Sequence, residues 1–181
     1  MNPIDSKSAL LIIDILNPFD FDHGDTLANH TEKIVEPLQT LRSSCRQSRV
    51  PVIYINDHYN LWQADLKKIY EKCLNDASRP VIEPLKPGEE DYFLIKPKHS
   101  AFYGTALNTL LHTLKVETLI LSGIAGNICV LFTANDAYMR EFNLVIPQDC
   151  IASVSEDDNQ YALEMMRNVL KAEIVDSGDI V

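Results

Sequence analysis

Paired cysteines are missing from this chain. Its four cysteines, Cys45, Cys73, Cys129 and Cys150, are scattered with no C-x-x-C pair and too few histidines nearby for a zinc pattern. That spacing predicts reduced thiols, of which at most one needs a chemical role. No G-x-G-x-x-G follows the first apolar run, which argues against a flavodoxin-like or dinucleotide-binding protein. No apolar run approaches the roughly 20 residues that cross a bilayer, and no N-terminal stretch has the basic, apolar and small-residue order of a secretory signal. A soluble, cytoplasmic protein without a membrane role is expected. Basic residues are in deficit as well: 16 Lys and Arg against 26 Asp and Glu give a formal charge of -10, which repels nucleic acid and anionic lipid. Internal repeats and low-complexity tracts are absent.

What is present suits one domain. A chain of 181 residues with 46% hydrophobic content can bury one sizeable core but not two comfortable ones, so residues 1–181 are read as a single domain. Ser8 to Asp14 is an apolar run without polar alternation, as expected of a central strand covered on both faces. A loop from Asn17 to Gly24 follows, then a helix from about Thr31 to Ser48 with Pro37 tolerated near its first turns. Strands are predicted at Val50 to Ile55, Asp91 to Ile95, Thr118 to Leu121, Asn143 to Ile146 and Glu173 to Val175. Between them lie a loop and helix excursion from Asn56 to Pro87, a helix with Thr105 as its N-cap, a helix beginning near Cys129, and one from about Glu156 to Leu170. This alternation predicts an α/β fold in three α/β/α layers, with a six-stranded, mostly parallel, doubly wound, Rossmann-like sheet.

At Ser122-Gly123-Ile-Ala-Gly126 the fourth strand turns sharply into the Cys129 helix. The unpaired first-turn N–H groups and the positive end of the helix dipole there favour the thiolate, and the same groups can receive an oxyanion. Taken alone, Cys129 reads more readily as a buried cysteine on a core helix. Its companions shift that balance. The strands that end at Asp14, near Lys96 and just before Cys129 all deliver their last residues to the C-terminal edge of the sheet, where open α/β sheets bind ligands. Asp14 can take the thiol proton, while Lys96 keeps the carboxylate ionised and stabilises negative charge.

These stretches resemble the isochorismatase-like, or cysteine, hydrolases. The resemblance rests on Ala9 to Asn17, Lys96-Pro-Lys-His-Ser-Ala-Phe-Tyr-Gly-Thr105, Gly123 to Val130 with Thr133-Ala-Asn-Asp-Ala137, and Pro147-Gln-Asp-Cys150. It implies the family's hydrolase fold, Asp14, Lys96 and Cys129 as a catalytic triad, and a cis peptide at Ile124–Ala125 that presents the backbone N–H groups of Ala125 and Cys129 as an oxyanion hole. Lys96 is chosen over Lys98 because it lies four residues before Ser100 of Ser100-Ala-Phe102. Homo-oligomerisation follows from the same resemblance. Phe19, Phe21, Trp62, Phe102 and Ile128 are the candidates for lining a small-molecule pocket, with core packing as the competing role for Phe102.

Departures from the family pattern bear on substrate. Nicotinamidases of this family hold a metal with an Asp-x-His and a second His, whereas the corresponding stretch here reads Asn56-Asp-His-Tyr-Asn-Leu-Trp62. One Asp beside one His makes a poor divalent site, so no metal and no cofactor are expected. Asp57 and His58 are read equally well as a solvated loop or as pocket wall, and His99 as a surface or hydrogen-bonding residue rather than a base. Leu16 and Pro18 stand where many relatives have Gln and Asp. Retention of Cys129 points to hydrolysis of a small amide or carbamoyl C–N bond through a thioester. The alternatives are isochorismatase-type vinyl ether hydrolysis, with Cys129 a bystander, and a catalytically silent member that binds a small molecule or a protein.

Overall fold

The first apolar run lacks polar alternation because it has no solvent face. In the computed structural model, which describes residues 4–180, it forms β1 (Ser8–Ile13), buried at every position. Its parallel neighbours are β2 (Val52–Asp57) on one side and β4 (Thr118–Ile124) on the other. Outside β2 lies β3 (Tyr92–Lys96), and beyond β4 come β5 (Asn143–Pro147) and then β7 (Glu173–Val175). Every strand pairing among the described residues is parallel. Six of these strands match the predicted set. The seventh, β6 (Ile151–Ala152), adds two residues beside the end of β4 and is too short to show a period in sequence.

Alternate residues of β1 sort the core into two layers. Leu10 and Ile12 pack with Leu27 of α1 (Gly24–Glu32), Leu38 and Leu41 of α2 (Val35–Gln47), Ile69 of α3 (Leu66–Cys73) and Val81 of α4 (Arg79–Ile82). Ala9, Leu11 and Ile13 point the other way, toward Leu107 of α5 (Leu107–Thr113), Ala134 of α6 (Leu131–Tyr138) and Leu163 of α7 (Glu156–Asn168). Helices on both faces complete the α/β/α layering.

Two differences from the sequence reading have local causes. The expected helix from Thr31 to Ser48 is broken near Lys33, and a separate α1 precedes it. Proline 37 has no N–H to give a preceding turn and its ring crowds the carbonyl four residues back, so α2 starts afresh with Pro37 in its first turn. The buried face of α1 is Gly24, Leu27, Ala28 and Thr31, a helical period half hidden by its small and polar members. The N-cap of α5 is Ala106 rather than Thr105. Thr105 still serves the helix end, because its hydroxyl accepts the Leu107 N–H at 3.2 Å.

Strand order fixes where a ligand would sit. From β1 the chain builds outward through β2 to β3, then returns beside β1 with β4 and builds the opposite way through β5 to β7. The reversal falls between β1 and β4, and the crevice outside the C-terminal ends of strands at such a reversal is the usual ligand site of open α/β sheets.

Candidate active site

Asp14 is the residue that leaves β1 at this crevice. Its backbone takes the left-handed conformation, φ 51°, which Asp tolerates better than most residues, and its N–H remains bonded to the Ile55 carbonyl at 3.0 Å. The chain thus turns off the sheet while the carboxylate stays anchored, buried to 5% exposure. Just beyond, both ends of the Asn56 amide grip the backbone of Leu16, Oδ1 accepting its N–H at 3.2 Å and Nδ2 donating to its carbonyl at 2.7 Å. Tyr59 Oη and Cys73 Sγ donate to the same carbonyl. Asp14 is therefore the start of a pinned loop rather than a solvated turn.

Lys96 ends β3, two strands away. Asp57 stands opposite it in β2, so a cation on β3 has to reach across two strand spacings, about 10 Å, to serve β1. A lysine stem has that reach. Lys96 Nζ lies 2.7 Å from Asp14 Oδ2, 3.1 Å from the Lys98 carbonyl and 3.5 Å from Cys129 Sγ, so each ammonium proton has an acceptor. Lys98 contributes only its carbonyl, while its side chain is exposed. The other carboxylate oxygen of Asp14 accepts the Asp57 N–H at 2.8 Å.

Cys129 lies in a π-helical turn, Gly126–Val130, between β4 and α6. Gly123 makes the exit from β4 possible: its φ is +107°, and a Cβ there would lie 2.1 Å from the Ile13 carbonyl oxygen. The Ile124–Ala125 peptide is cis. Hydroxyls brace the turn from both sides. Thr133 Oγ1 donates to the Cys129 carbonyl at 2.7 Å and accepts the Ala101 N–H at 3.0 Å, tying the cysteine turn to the lysine loop. On the far side Ser153 Oγ accepts the Asn127 N–H at 3.1 Å and donates to Asn159 Oδ1 at 2.7 Å.

The electrostatics are those of a protonated nucleophile waiting beside a base. Burial pushes the Cys129 thiol up to about 12, and the nearby Asp14 carboxylate adds to that rise while Lys96 opposes it. The sequence argument from the helix N-terminus favoured a thiolate; in the folded site, burial and a neighbouring anion raise the thiol instead. The two groups titrate together, the thiol lowering the Asp14 carboxyl and Asp14 raising the thiol. Burial also raises the Asp14 carboxyl, which Lys96 offsets only in part. For Lys96 burial acts downward, yet Asp14 and Cys129 hold its ammonium above the ordinary lysine value. The cluster reads as carboxylate, ammonium and thiol. Cys45 and Cys73 are pushed up to about 12 as well, by burial, and both are fully buried core residues.

The periphery is mixed. Phe19 and Phe102, proposed from sequence as pocket lining, are 4% and 5% exposed and pack into opposite core layers, with the Arg140 guanidinium over the Phe102 ring. Phe21, Trp62 and Ile128 are exposed, and Trp62 stacks on His58 with centroids 3.9 Å apart. Asp57 and His58 are engaged locally: Asp57 Oδ1 accepts the Tyr59 N–H and His58 Nδ1 the Asn60 N–H. Among the described residues no three His, Cys, Asp or Glu side chains group as a metal would require, so the donor set does not fit the nicotinamidase metal. Sequence reasoning undervalued two residues. Asn56 was taken only as the start of an excursion, and His99 as a surface or hydrogen-bonding residue with no partner named, which the structure supplies in Cys129 Sγ, 3.8 Å from its Nδ1. Only its place three residues after Lys96 hinted at that contact.

A doubly wound sheet carrying a Cys, Asp and Lys cluster at its reversal point defines the class as cysteine hydrolases. The isochorismatase domain model matches residues 8–179, and the chain belongs to the isochorismatase family. It is a hydrolase of that family. Over 176 residues it is 60% identical to the isochorismatase family protein YaaI of Bacillus subtilis strain 168, covering 97% of each chain. Among solved structures it is similar to a cysteine hydrolase from Pseudomonas syringae pv. phaseolicola 1448A, with a TM-score of 0.79 at 25% identity over 98% of this chain and 92% of that one. An N-carbamoylsarcosine amidase from Thermoplasma acidophilum is similar at TM-score 0.72 and 26% identity, covering 94% and 96%.

Proposed function

We propose that this chain hydrolyses a small amide or carbamoyl C–N bond through a thioester on Cys129. The observation that carries the reading is the contact of Lys96 Nζ with both Asp14 Oδ2, at 2.7 Å, and Cys129 Sγ, at 3.5 Å, in a nearly buried cluster. Asp14 takes the thiol proton and the sulfur attacks the substrate carbonyl carbon, while the N–H groups of Ala125 and Cys129 hold the oxyanion. The C–N bond breaks as Asp14 returns the proton to the leaving nitrogen. Water then attacks the thioester with Asp14 again as base, the C–S bond breaks, and the sulfur regains its proton. Lys96 keeps its charge throughout and balances the anion wherever it resides. No metal enters these steps. Phe21, Trp62 and Ile128 are the sequence-proposed lining residues exposed to a substrate, and the similarity to the Thermoplasma amidase supports the carbamoyl end of the substrate range. Self-association belongs to the same reading, and the exposed stripe of Tyr161 and Met165 on α7 with Val169 at its C-cap offers a surface for it.

Ammonia release across small primary amides, ureides and carbamoyl amino acids, with nicotinamide and isochorismate as controls, tests the substrate class. On any substrate so found, Cys129→Ala and Asp14→Asn should each lower kcat by about 10³-fold or more with the fold intact by circular dichroism. Near-normal turnover in either variant would remove the mechanism, and isochorismate turnover surviving loss of the thiol would replace it.

A further inference from the structure

The hydrogen bonds around the Cys129 sulfur expose a difficulty that a third residue resolves. When the proton passes to Asp14, the new thiolate needs donors. Lys96 is one, but its three protons are already divided among Asp14, the Lys98 carbonyl and the sulfur. His99 Nδ1, at 3.8 Å, is the remaining side-chain nitrogen recorded against the sulfur. In the proposed mechanism the thiol proton goes to Asp14, so the ring nitrogen facing the sulfur at 3.8 Å has to be the one that carries hydrogen, a tautomer assigned from the network. The ring packs against Phe132, whose centroid lies 5.5 Å away, and His99 is exposed whereas Asp14 and Lys96 are buried.

We infer that His99 donates its Nδ1–H to the Cys129 sulfur and stabilises the thiolate that forms as the proton moves to Asp14. This rests on the hydrolase reading above but goes beyond the triad. Unlike Lys96, which serves the carboxylate and the sulfur together, His99 has no recorded bond to Asp14, so its effect grows only as charge moves onto sulfur. A donor of that kind lowers the barrier to attack without tightening the resting pair.

The test is the alkylation rate of Cys129 by iodoacetamide at one mildly alkaline pH, with the modified residue mapped by mass spectrometry. The other three cysteines are fully buried, so the native protein reports Cys129. His99→Leu should slow alkylation by about tenfold, the effect of losing one charge-assisted hydrogen bond. His99→Asn, whose amide nitrogen overlies the lost Nδ1, should return the rate to within about threefold of the parent. His99 is exposed, so both variants are expected to fold, and matched unfolding midpoints verify it. An unchanged or faster rate in His99→Leu would show that the ring does not stabilise the thiolate, and failure of Asn to restore the rate would show that no donor is involved; either result overturns the inference. Because the readout is thiol chemistry rather than turnover, the inference can fail while the hydrolase reading stands. Full turnover in Cys129→Ala would sink the hydrolase reading by a separate measurement.

Discussion

Replacing Lys96 with methionine tests whether the centre of the site is a buried ion pair. Methionine nearly fills the volume of the lysine stem, so the substitution removes charge with little cavity. The lysine and aspartate side chains are 2% and 8% exposed and their charged atoms are 2.7 Å apart. Removing one member of a buried pair leaves the other uncompensated, at about 3–5 kcal/mol. For a domain of this size that is a large part of total stability and lowers Tm by roughly 10 °C. The pH dependence has a fixed sign. Asp14 already titrates above its ordinary value because of burial, and without Lys96 it rises further. A carboxyl whose folded-state pKa is raised supports the fold at low pH and loses that support as pH climbs through the folded value. Lys96→Met should therefore approach the parent in acid and fall behind it toward neutrality. Adding Asp14→Asn removes the stranded charge while keeping an acceptor for the Asp57 N–H, so the double variant should recover about 3 kcal/mol relative to Lys96→Met. Urea unfolding followed by circular dichroism across pH measures all of this. Strict additivity of the two substitutions, or a Lys96→Met penalty that does not change with pH, would refute the buried-pair argument.

Two further perturbations test the scaffold. Gly123→Ala places a methyl against the Ile13 carbonyl at a left-handed φ and should cost about 3 kcal/mol or more in urea unfolding; a loss under about 1 kcal/mol would mean that β1 and β4 can part there. Thr133→Val keeps the shape but orphans the Ala101 N–H and removes the hydroxyl's bond to the Cys129 carbonyl. It should cost about 1–3 kcal/mol and lower kcat more than it raises KM, whereas unchanged kcat would separate that brace from the site.

How far the sequence could be read depended on how local each signal was. β1, β2 and β4 were plain because parallel strands buried on both faces must be apolar at nearly every position. Asp14, Lys96 and Cys129 were legible because each stands at or just past the end of such a run. The burial of Phe19 and Phe102 was not legible, because an aromatic in a loop looks the same whether it turns toward a pocket or into the core. α1 was hidden by its small and polar buried face, and β6 by its length.

The order of apolar runs, the proline in α2 and the glycine elbow before Cys129 fixed the layered sheet and the edge on which its chemistry would gather, because backbone conformation and burial pattern are short-range demands on residue type. Which groups touch there was decided only by folding. The lysine stem crosses two strand spacings to meet a carboxylate 82 positions earlier in the chain, burial and that carboxylate raise the thiol, and the exposed His99 brings its Nδ1 to 3.8 Å from the sulfur. Distances, desolvation and hydrogen-bond sharing arise between residues far apart in sequence, so they exist only once the strands have been laid side by side.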